Sequence, residues 1–599
     1  MIPNFVYRLI AALAILAMPA KATEQQRIEA PLPPLVPWSG ASEKLIAKPN
    51  DIWITPSERS GLTASPSYAE TRAFAEKMVA VSPLLKLEIF GKTPQGRDMF
   101  AIIARKPGKA VKPVLLAQGG IHSGEIDGKD AGLMLLRDIA FRGKASLLDK
   151  ADLIFVPIFN IDGHERTSPF NRPNQRGPIS QGWRTTAQNL NLNRDYLKAD
   201  SPEMQAMIGL IRKYDPTLYL DLHVTDGTDH QYDVAYAFSG WNGLYAQSPA
   251  IGRWLDQSFR PAIDKALKGS GHTPGYYVSA VDNDNPDKGI VHDADTPRFS
   301  TGYGDHRRLP TVLVETHSLK PFRQRVLGTY VLVEAALRLI GEDSLAARQA
   351  ITTDRAARPK QMTLTWKPLE QPIDQIDFLG IAHEKYTSPA SGGSVVRWLG
   401  KPITQRMDVY GAAPDFVSTL PKAWWVPATA ADVIARLKLH GVQMETIKTA
   451  RAITLDMVRI ASPKLGDANE GHIPLSVGAF RHISTSETFP PGSVRVSLDQ
   501  PLGLLAAAML EPESPDSLLA WNFFPGMLQR TEYIEGYAIA PLAETMLASD
   551  LKLKAEFEAK LVADPMFAKN ATARLQWFYE RTPYYDERYL LYPIGREVE

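Results

Sequence analysis

With 599 residues, 44% of them hydrophobic and 22% charged, the chain is long enough for two or three domains with sizeable cores. Its formal net charge of +1 leaves no footprint for nucleic acid. The absence of cysteine excludes disulfides, thiolate metal ligands and a Cys nucleophile together, so a tightly held metal has to use His, Asp or Glu.

Residues 1–22 read as a secretory signal, with Arg8 as the basic start, Leu9–Met18 as the apolar segment and Ala20-Lys21-Ala22 as the cleavage site. That apolar run is about half the roughly 20 residues needed to span a bilayer, so cleavage after about Ala22 is expected. The mature protein is then periplasmic or secreted, with no stable membrane insertion. Residues 23–60 form a Pro-rich arm expected to run extended over the surface. Helical spacing of Ala73, Phe74 and Met78 predicts a helix over Tyr68–Val81. Leu85–Phe90 and Met99–Ala104 read as strands of a hairpin closed by the Pro and Gly residues of Gly91–Arg97.

Four apolar runs then end in chemically active groups. Pro113–Gln118 breaks at Gly119 and Gly120 and delivers His122 and Glu125, with a helix following over Gly132–Ile139. Leu153–Phe159 ends in Asn160-Ile161-Asp162-Gly163-His164, Leu218–Leu222 in His223, and Thr311–Val314 in Glu315. Laid side by side as parallel strands, these runs bring residues remote in sequence to one rim of a sheet, where ligands bind in such folds. Glu125 lies three residues after His122 and can close on the same ion, and His223 is the natural third ligand. Two imidazoles and a carboxylate are a donor set that Zn²⁺ accepts while keeping a position open for water. Alone, His-x-x-Glu is weak evidence and reads equally as a helix cap with a surface carboxylate. Glu315 is placed to act as the base that a metal-bound water requires, or to pair with Arg307 or Arg308.

At this point the chain resembles the zinc metallocarboxypeptidase family (carboxypeptidase A-like) over roughly Ser67 to Ile340. The likeness rests on motifs in order: Gly91-Lys92-Thr93 through Gly96-Arg97, His122 and Glu125, Asn160-Ile161-Asp162-Gly163, Trp183-Arg184, Asn193-Arg194, His223 and Glu315. Ile161 stands where the family has Pro. The resemblance implies a bacterial exported member with a mixed, largely parallel α/β sheet flanked by helices. It implies one Zn²⁺ held by His122, Glu125 and His223, and Glu315 as the base that takes a proton from the zinc-bound water. It also implies Arg184 as the group polarising the scissile carbonyl. Asn193 and Arg194 would grip the terminal carboxylate of a peptide substrate. For the family's mobile tyrosine the chain offers Tyr276, Tyr277 and Tyr303. Tyr303 is chosen because the flanking glycines permit motion, with packing as its alternative. The group that sets side-chain preference is expected between Gly227 and Arg308.

His164, His230, His272, His292, His306 and His317 are expected at the surface or behind the ligands rather than on the metal. Asp127 or Asp221 could orient a ligand imidazole, a simple surface charge being the alternative. The domains predicted are therefore a catalytic domain over 61–345, a linker over 346–372, and an accessory domain over 373–599 that is β-rich with terminal helices. Strands are expected over Ser391–Tyr410, Ala452–Ile460 and Ser493–Leu498, and helices over Ala430–Leu439 and Leu542–Lys569. Two other functions share the motifs: a peptidoglycan-peptide amidase or endopeptidase with the same zinc centre, and a catalytically inactive peptide-binding relative.

Overall fold

The structure is a computed structural model that describes residues 32–108 and 111–598. The predicted signal peptide lies outside the described residues. Among those described, no helix is long and apolar enough to cross a membrane.

Ten short strands organise the N-terminal half: β1 (Leu85–Lys92), β2 (Asp98–Ala104), β3 (Val114–Gly119), β4 (Asp152–Val156), β5 (Leu218–Thr225), β6 (Val234–Ala237), β7 (Pro274–Tyr276), β8 (Ser279–Ala280), β9 (Ile290–Val291) and β10 (Thr311–His317). Eight of them form one mixed sheet in the order β1-β2-β4-β3-β5-β10-β6-β7. The four runs singled out in the sequence, β4, β3, β5 and β10, are adjacent and mutually parallel. The hairpin β1–β2 adds antiparallel to one side of them and β6 to the other. The class is thus α/β with a mixed, largely parallel central sheet.

Period-two alternation assigns the two faces. Leu115, Ala117, Leu153, Phe155, Leu218, Leu220, Val312 and Val314 pack with helices Asp127–Phe141 and Phe322–Glu342. Val114, Leu116, Ile154, Val156 and Tyr219 face the other way, onto helix Pro202–Tyr214 and onto Trp424, Val426, Leu437 and helix Gly503–Leu510. The second face is therefore covered by the C-terminal half, whose apolar core is continuous with that of the sheet. The predicted helix over Tyr68–Val81 is present, capped by a Ser67–Glu70 capping box.

The stretch expected to be a linker is ordered instead. Residues 344–356 form a helix whose Ala347, Ala350 and Ile351 join the core, and Gln361–Pro368 is a strand paired with Ala412–Thr419. Its Lys, Arg and Pro content misled because Arg358 and Lys360 are exposed in the short connection between that helix and strand, and Lys367 is exposed on the strand. A long hairpin, Asp374–Thr387 with Ser394–Tyr410, completes a second sheet with β8 and β9, so strands from both halves of the chain form one layer. The predicted helix over Leu542–Lys569 is three helices, interrupted at Asp550 and Asp564, whose carboxylates accept backbone N–H groups and start the next helix each time.

The arm is tied down at its end. Glu58 and Arg137, both buried, form a two-bond ion pair at 2.9 and 3.0 Å that fastens residues 55–62 to helix Asp127–Phe141.

Candidate metal centre and active-site cavity

β3 ends at Gly119, and Gly120 turns the chain away at φ +69°, a conformation that favours glycine. The following turn is closed by the Glu125 N–H donating to the His122 carbonyl at 2.9 Å, which puts both side chains over the sheet rim. β5 and β10 run parallel with Glu315 in register with His223, so these two side chains leave the sheet on the same side as neighbours. The rim thus assembles His122, Glu125, His223 and Glu315 from three strands.

His122, Glu125 and His223 form a group whose ligand atoms lie within 4.8 Å of one another, all buried. The His122 and His223 rings are 4.9 Å apart, and each presents Nδ1 to the carboxylate, His122 to Oε1 and His223 to Oε2, both at 2.9 Å. Each far nitrogen faces an oxygen, by a hydrogen bond for His122 and by an ion-pair contact for His223. His122 Nε2 is 3.0 Å from Asn191 Oδ1, and His223 Nε2 is 3.0 Å from Asp221 Oδ1.

These contacts test whether the site suits a metal. Asn191 Oδ1 also accepts the Asn193 backbone N–H at 3.0 Å, which fixes that atom as oxygen and makes His122 Nε2 the donor to it. Burial lowers the His122 pKa to about 4, so its ring is neutral and Nδ1 carries a lone pair. Burial alone would raise the Glu125 pKa, but His122 and Arg172 hold it well below the usual carboxylate range. An imidazole lone pair and an ionised carboxylate oxygen then face each other at 2.9 Å, an arrangement that calls for a cation between them. For His223, burial opposes the charged ring, but Asp221 and Glu125 outweigh it and lift the pKa well above the ordinary value. Both imidazoles, each backed by an oxygen, meet the requirements of a catalytic zinc site.

Glu315 is buried beside this group. Burial pushes its pKa to about 8, with Glu125 and Asp221 adding to the rise and His223 opposing it, and its Oε2 has no hydrogen-bond partner. A cavity of about 150 Å³ opens over the rim, lined by His122, Glu125 and Glu315 and, facing them, by Arg184, Asn193, Arg194 and Tyr277. Arg184 Nη1 lies 3.4 Å from Glu125 Oε1 and its side chain is partly exposed. The Arg194 guanidinium carbon sits over the Phe299 ring, 4.4 Å from its centre. From the span expected to set side-chain preference, Asp295, Phe299, Ser300 and Thr301 also line the cavity.

One predicted site residue lies elsewhere. Tyr303 is on helix Ser300–Arg307, fully buried, within hydrogen-bonding distance of His440 Nδ1 at 3.0 Å and 5.5 Å from the Tyr196 ring. Its flanking glycines serve packing, not motion: a Cβ at Gly302 would meet the Thr296 carbonyl at 2.2 Å. Tyr277, at the end of β7, occupies the cavity instead, and the Glu315 charge and burial push its phenol pKa up.

Two contributors, Arg172 and Asn191, escaped sequence reasoning. Arg172 Nη2 meets Glu125 Oε1 at 2.9 Å from a loop with no motif of its own. Asn191 lies two residues before the Asn193-Arg194 motif and carries no signal of its own. Asp221 was noted, and it is fully buried behind His223 rather than a surface charge. Asp127 instead pairs with Arg325 at 2.7 Å. The remaining histidines of this half are buried and outside the one metal-ligating group found among the described residues.

Asn160-Ile161-Asp162-Gly163 acts as a clamp. Asp162 accepts hydrogen bonds from Thr93 at 2.8 Å, Arg97 at 2.6 Å and the Gln95 N–H at 3.1 Å, which ties down the β1–β2 turn. Asn160 caps the short helix Ile161–Glu165, and its Nδ2 reaches the Arg184 carbonyl at 3.3 Å.

A buried two-histidine, one-carboxylate centre on the rim of a mixed α/β sheet, with a carboxylate beside it and guanidinium groups opposite, defines a metal-dependent hydrolase. Residues 71–268 match the family model described as zinc carboxypeptidase, and this match together with relatives named carboxypeptidase supports a zinc metallopeptidase of carboxypeptidase type. Carboxypeptidase 2 of Trichophyton rubrum is 24% identical over 428 residues, covering 68% of this chain and 73% of that protein. Carboxypeptidase 2 of Trichophyton equinum is 22% identical over 433 residues, with the same coverages. A metallo-carboxypeptidase structure from Burkholderia cenocepacia superposes with a TM-score of 0.36 at 19% identity, covering 47% of this chain and 70% of that one.

Proposed function

We propose that the protein removes C-terminal residues from peptides after export, with His122, Glu125 and His223 holding one zinc ion. The observation that carries this reading is one cavity lined by His122, Glu125 and Glu315 together with Arg184, Asn193 and Arg194, with His223 in contact with Glu125 behind it. Zinc bound there supplies a Lewis acid, which makes water acidic enough to yield hydroxide near neutral pH and polarises a carbonyl.

The chain's own residues do the rest. Arg194, placed over Phe299, and Asn193, through its side-chain amide N–H groups, receive the substrate's terminal carboxylate, with the guanidinium suited to a two-bond grip. That anchor fixes which peptide bond lies against Glu315 and Arg184. Glu315 accepts a proton from the attacking water and returns it to the departing amine. Arg184 donates to the oxygen on which negative charge develops. Tyr277 takes the place first given to Tyr303, closing the cavity over the substrate's last residue.

Metal analysis of the purified protein followed by a C-terminal peptide ladder tests the reading. One zinc per chain and stepwise loss of terminal residues is the expected result. Cleavage confined to peptides with D-residues or diaminopimelate would move the substrate to peptidoglycan, and zinc binding with no cleavage at all would leave a binding protein.

A further inference from the structure

The metal ligands come from the N-terminal half, yet one support for them comes from 279 residues further along the chain. The Asn191 backbone N–H donates to Glu470 Oε2 at 2.7 Å. Asn191 is the residue whose side-chain oxygen is shared between His122 Nε2 and the Asn193 backbone N–H, each at 3.0 Å. A single carboxylate from the C-terminal half thus holds the residue that links the metal ligand to the start of the Asn193-Arg194 pair.

The delivery of Glu470 is itself unusual. Asn469 and His472 pair in both directions, at 2.8 and 3.0 Å, and close a tight turn with Glu470 at φ +50° and Gly471 at φ +83°. Positive φ at both central positions is the geometry of a type I′ turn, which favours Asn or Gly at the first of them; a glutamate is costly there. A residue kept in a sparsely populated region points to a function for its side chain. The foot of the turn is anchored to the catalytic half. His472 Nε2 lies 2.8 Å from Asp200 Oδ2, and Asp200 also receives Lys198 at 2.9 Å and Arg436 at 2.6 Å, while the His472 ring stacks on Phe523 at 5.0 Å. The Glu470 charge is felt at Arg194 as well, where it partly offsets the burial that lowers the guanidinium pKa.

We propose that Glu470 is a positioning residue for both halves of the site: by fixing Asn191 it sets the orientation of the His122 ring and the placement of Asn193. The inference rests on the metal reading above. It makes residues 373–599 part of the active site's construction, because the strained turn and its anchor exist to bring one carboxylate to the cavity wall.

The test measures zinc affinity of the purified full chain by competition with a chelator, zinc alone being the probe, beside thermal unfolding of the metal-free protein and the KM for a short peptide. Glu470→Gly removes the carboxylate and relieves the left-handed backbone. It is expected to raise the unfolding midpoint while weakening zinc binding by about 10-fold or more, within the range that outer-shell partners show, and to raise KM. Glu470→Gln keeps an acceptor oxygen and is expected to restore zinc affinity and KM towards the parent values. A merely structural role would move stability and affinity together, not in opposite directions. Parental zinc affinity and KM in Glu470→Gly would overturn the proposal, whereas a parent protein that binds no zinc would overturn the metal reading first and this inference with it.

Discussion

The rim of the sheet and the loop wall facing it bound the same cavity but are held in place by different means. On the rim, His223 and Glu315 are set by the register of two parallel strands, and His122 and Glu125 by one turn at the end of a third. The wall, residues 183–194 and 277–301, has little regular structure and is positioned from far along the chain. Glu470 holds Asn191, Val409 and Tyr410 pair with Ile290 and Val291, and Asp516 holds Arg298. Chemistry that tolerates little displacement is housed where backbone hydrogen bonds fix geometry. The proposed substrate grip and side-chain choice fall on a surface that contacts from the C-terminal half help to hold.

The sharpest break between the two walls comes from Glu315→Gln. In the role of base proposed for it, Glu315 would contribute about 10²–10⁴-fold to the rate, so the variant should bind zinc normally and be almost inert in single-turnover hydrolysis. Stability gives an independent sign. The Glu315 pKa of about 8 lies above the ordinary 4.5, so the folded protein binds this proton more tightly than the unfolded chain does. Its stabilising contribution is full at low pH and is lost as pH rises from about 4.5 to about 8. The metal-free Glu315→Gln protein should therefore unfold at a higher temperature than the parent above pH 8, and equal midpoints there would remove the buried-carboxyl account.

Arg184→Ala is next in size and belongs to the opposite wall. Loss of one donor to a developing oxyanion costs about 2.7–4 kcal/mol, so kcat should fall by two to three orders of magnitude with zinc content unchanged. Unchanged turnover would take Arg184 out of the mechanism.

The contrast between rim and wall also explains what could be read in advance. Apolar runs ending in His122, Glu125, His223 and Glu315 announce their positions because strand and turn signals are local, and parallel stacking follows from the run of strands and helices. The wall carries no such period. Arg172 and Asn191 reach the metal centre through loops, and nothing in the sequence near Tyr277 distinguishes it from Tyr303. The glycines beside Tyr303 suggested motion, but they are there because Thr296 and Thr311 leave no room for a Cβ. The C-terminal half misled for a related reason: its strands were legible, its docking onto one face of the sheet was not, since apolar residues such as Trp424, fully buried in the fold, do not declare in the sequence which surface covers them.

A smaller effect separates the two tyrosines. Tyr277→Phe removes one hydroxyl from the cavity and should lower kcat/KM by about tenfold, the upper end of a single hydrogen bond near 1.5 kcal/mol. Tyr303→Phe should leave both kinetic constants alone. It leaves His440 without its Tyr303 contact and should cost about 1–3 kcal/mol of stability, read from denaturant unfolding. A kinetic defect in Tyr303→Phe would reverse the assignment.

The mildest prediction probes the wall through its support rather than through a residue in the cavity. Asp516 is fully buried and accepts both the Arg298 backbone N–H at 2.9 Å and its side chain at 2.5 Å, and Arg298 precedes Phe299, on which Arg194 rests. Asp516→Asn keeps the volume and one acceptor oxygen but loses the charge, so Arg298 is held less firmly and Phe299 can shift beneath the guanidinium. Substrate and transition state share the terminal-carboxylate grip, so the loss should appear as a KM raised about three- to tenfold with kcat unchanged, the signature of uniform binding weakened by up to about 1.4 kcal/mol. The catalytic rim is untouched, and zinc affinity should equal that of the parent. A fall in kcat with KM unchanged would mean that the wall takes part in the chemical step, and the division of labour between the two sides of the cavity would have to be abandoned.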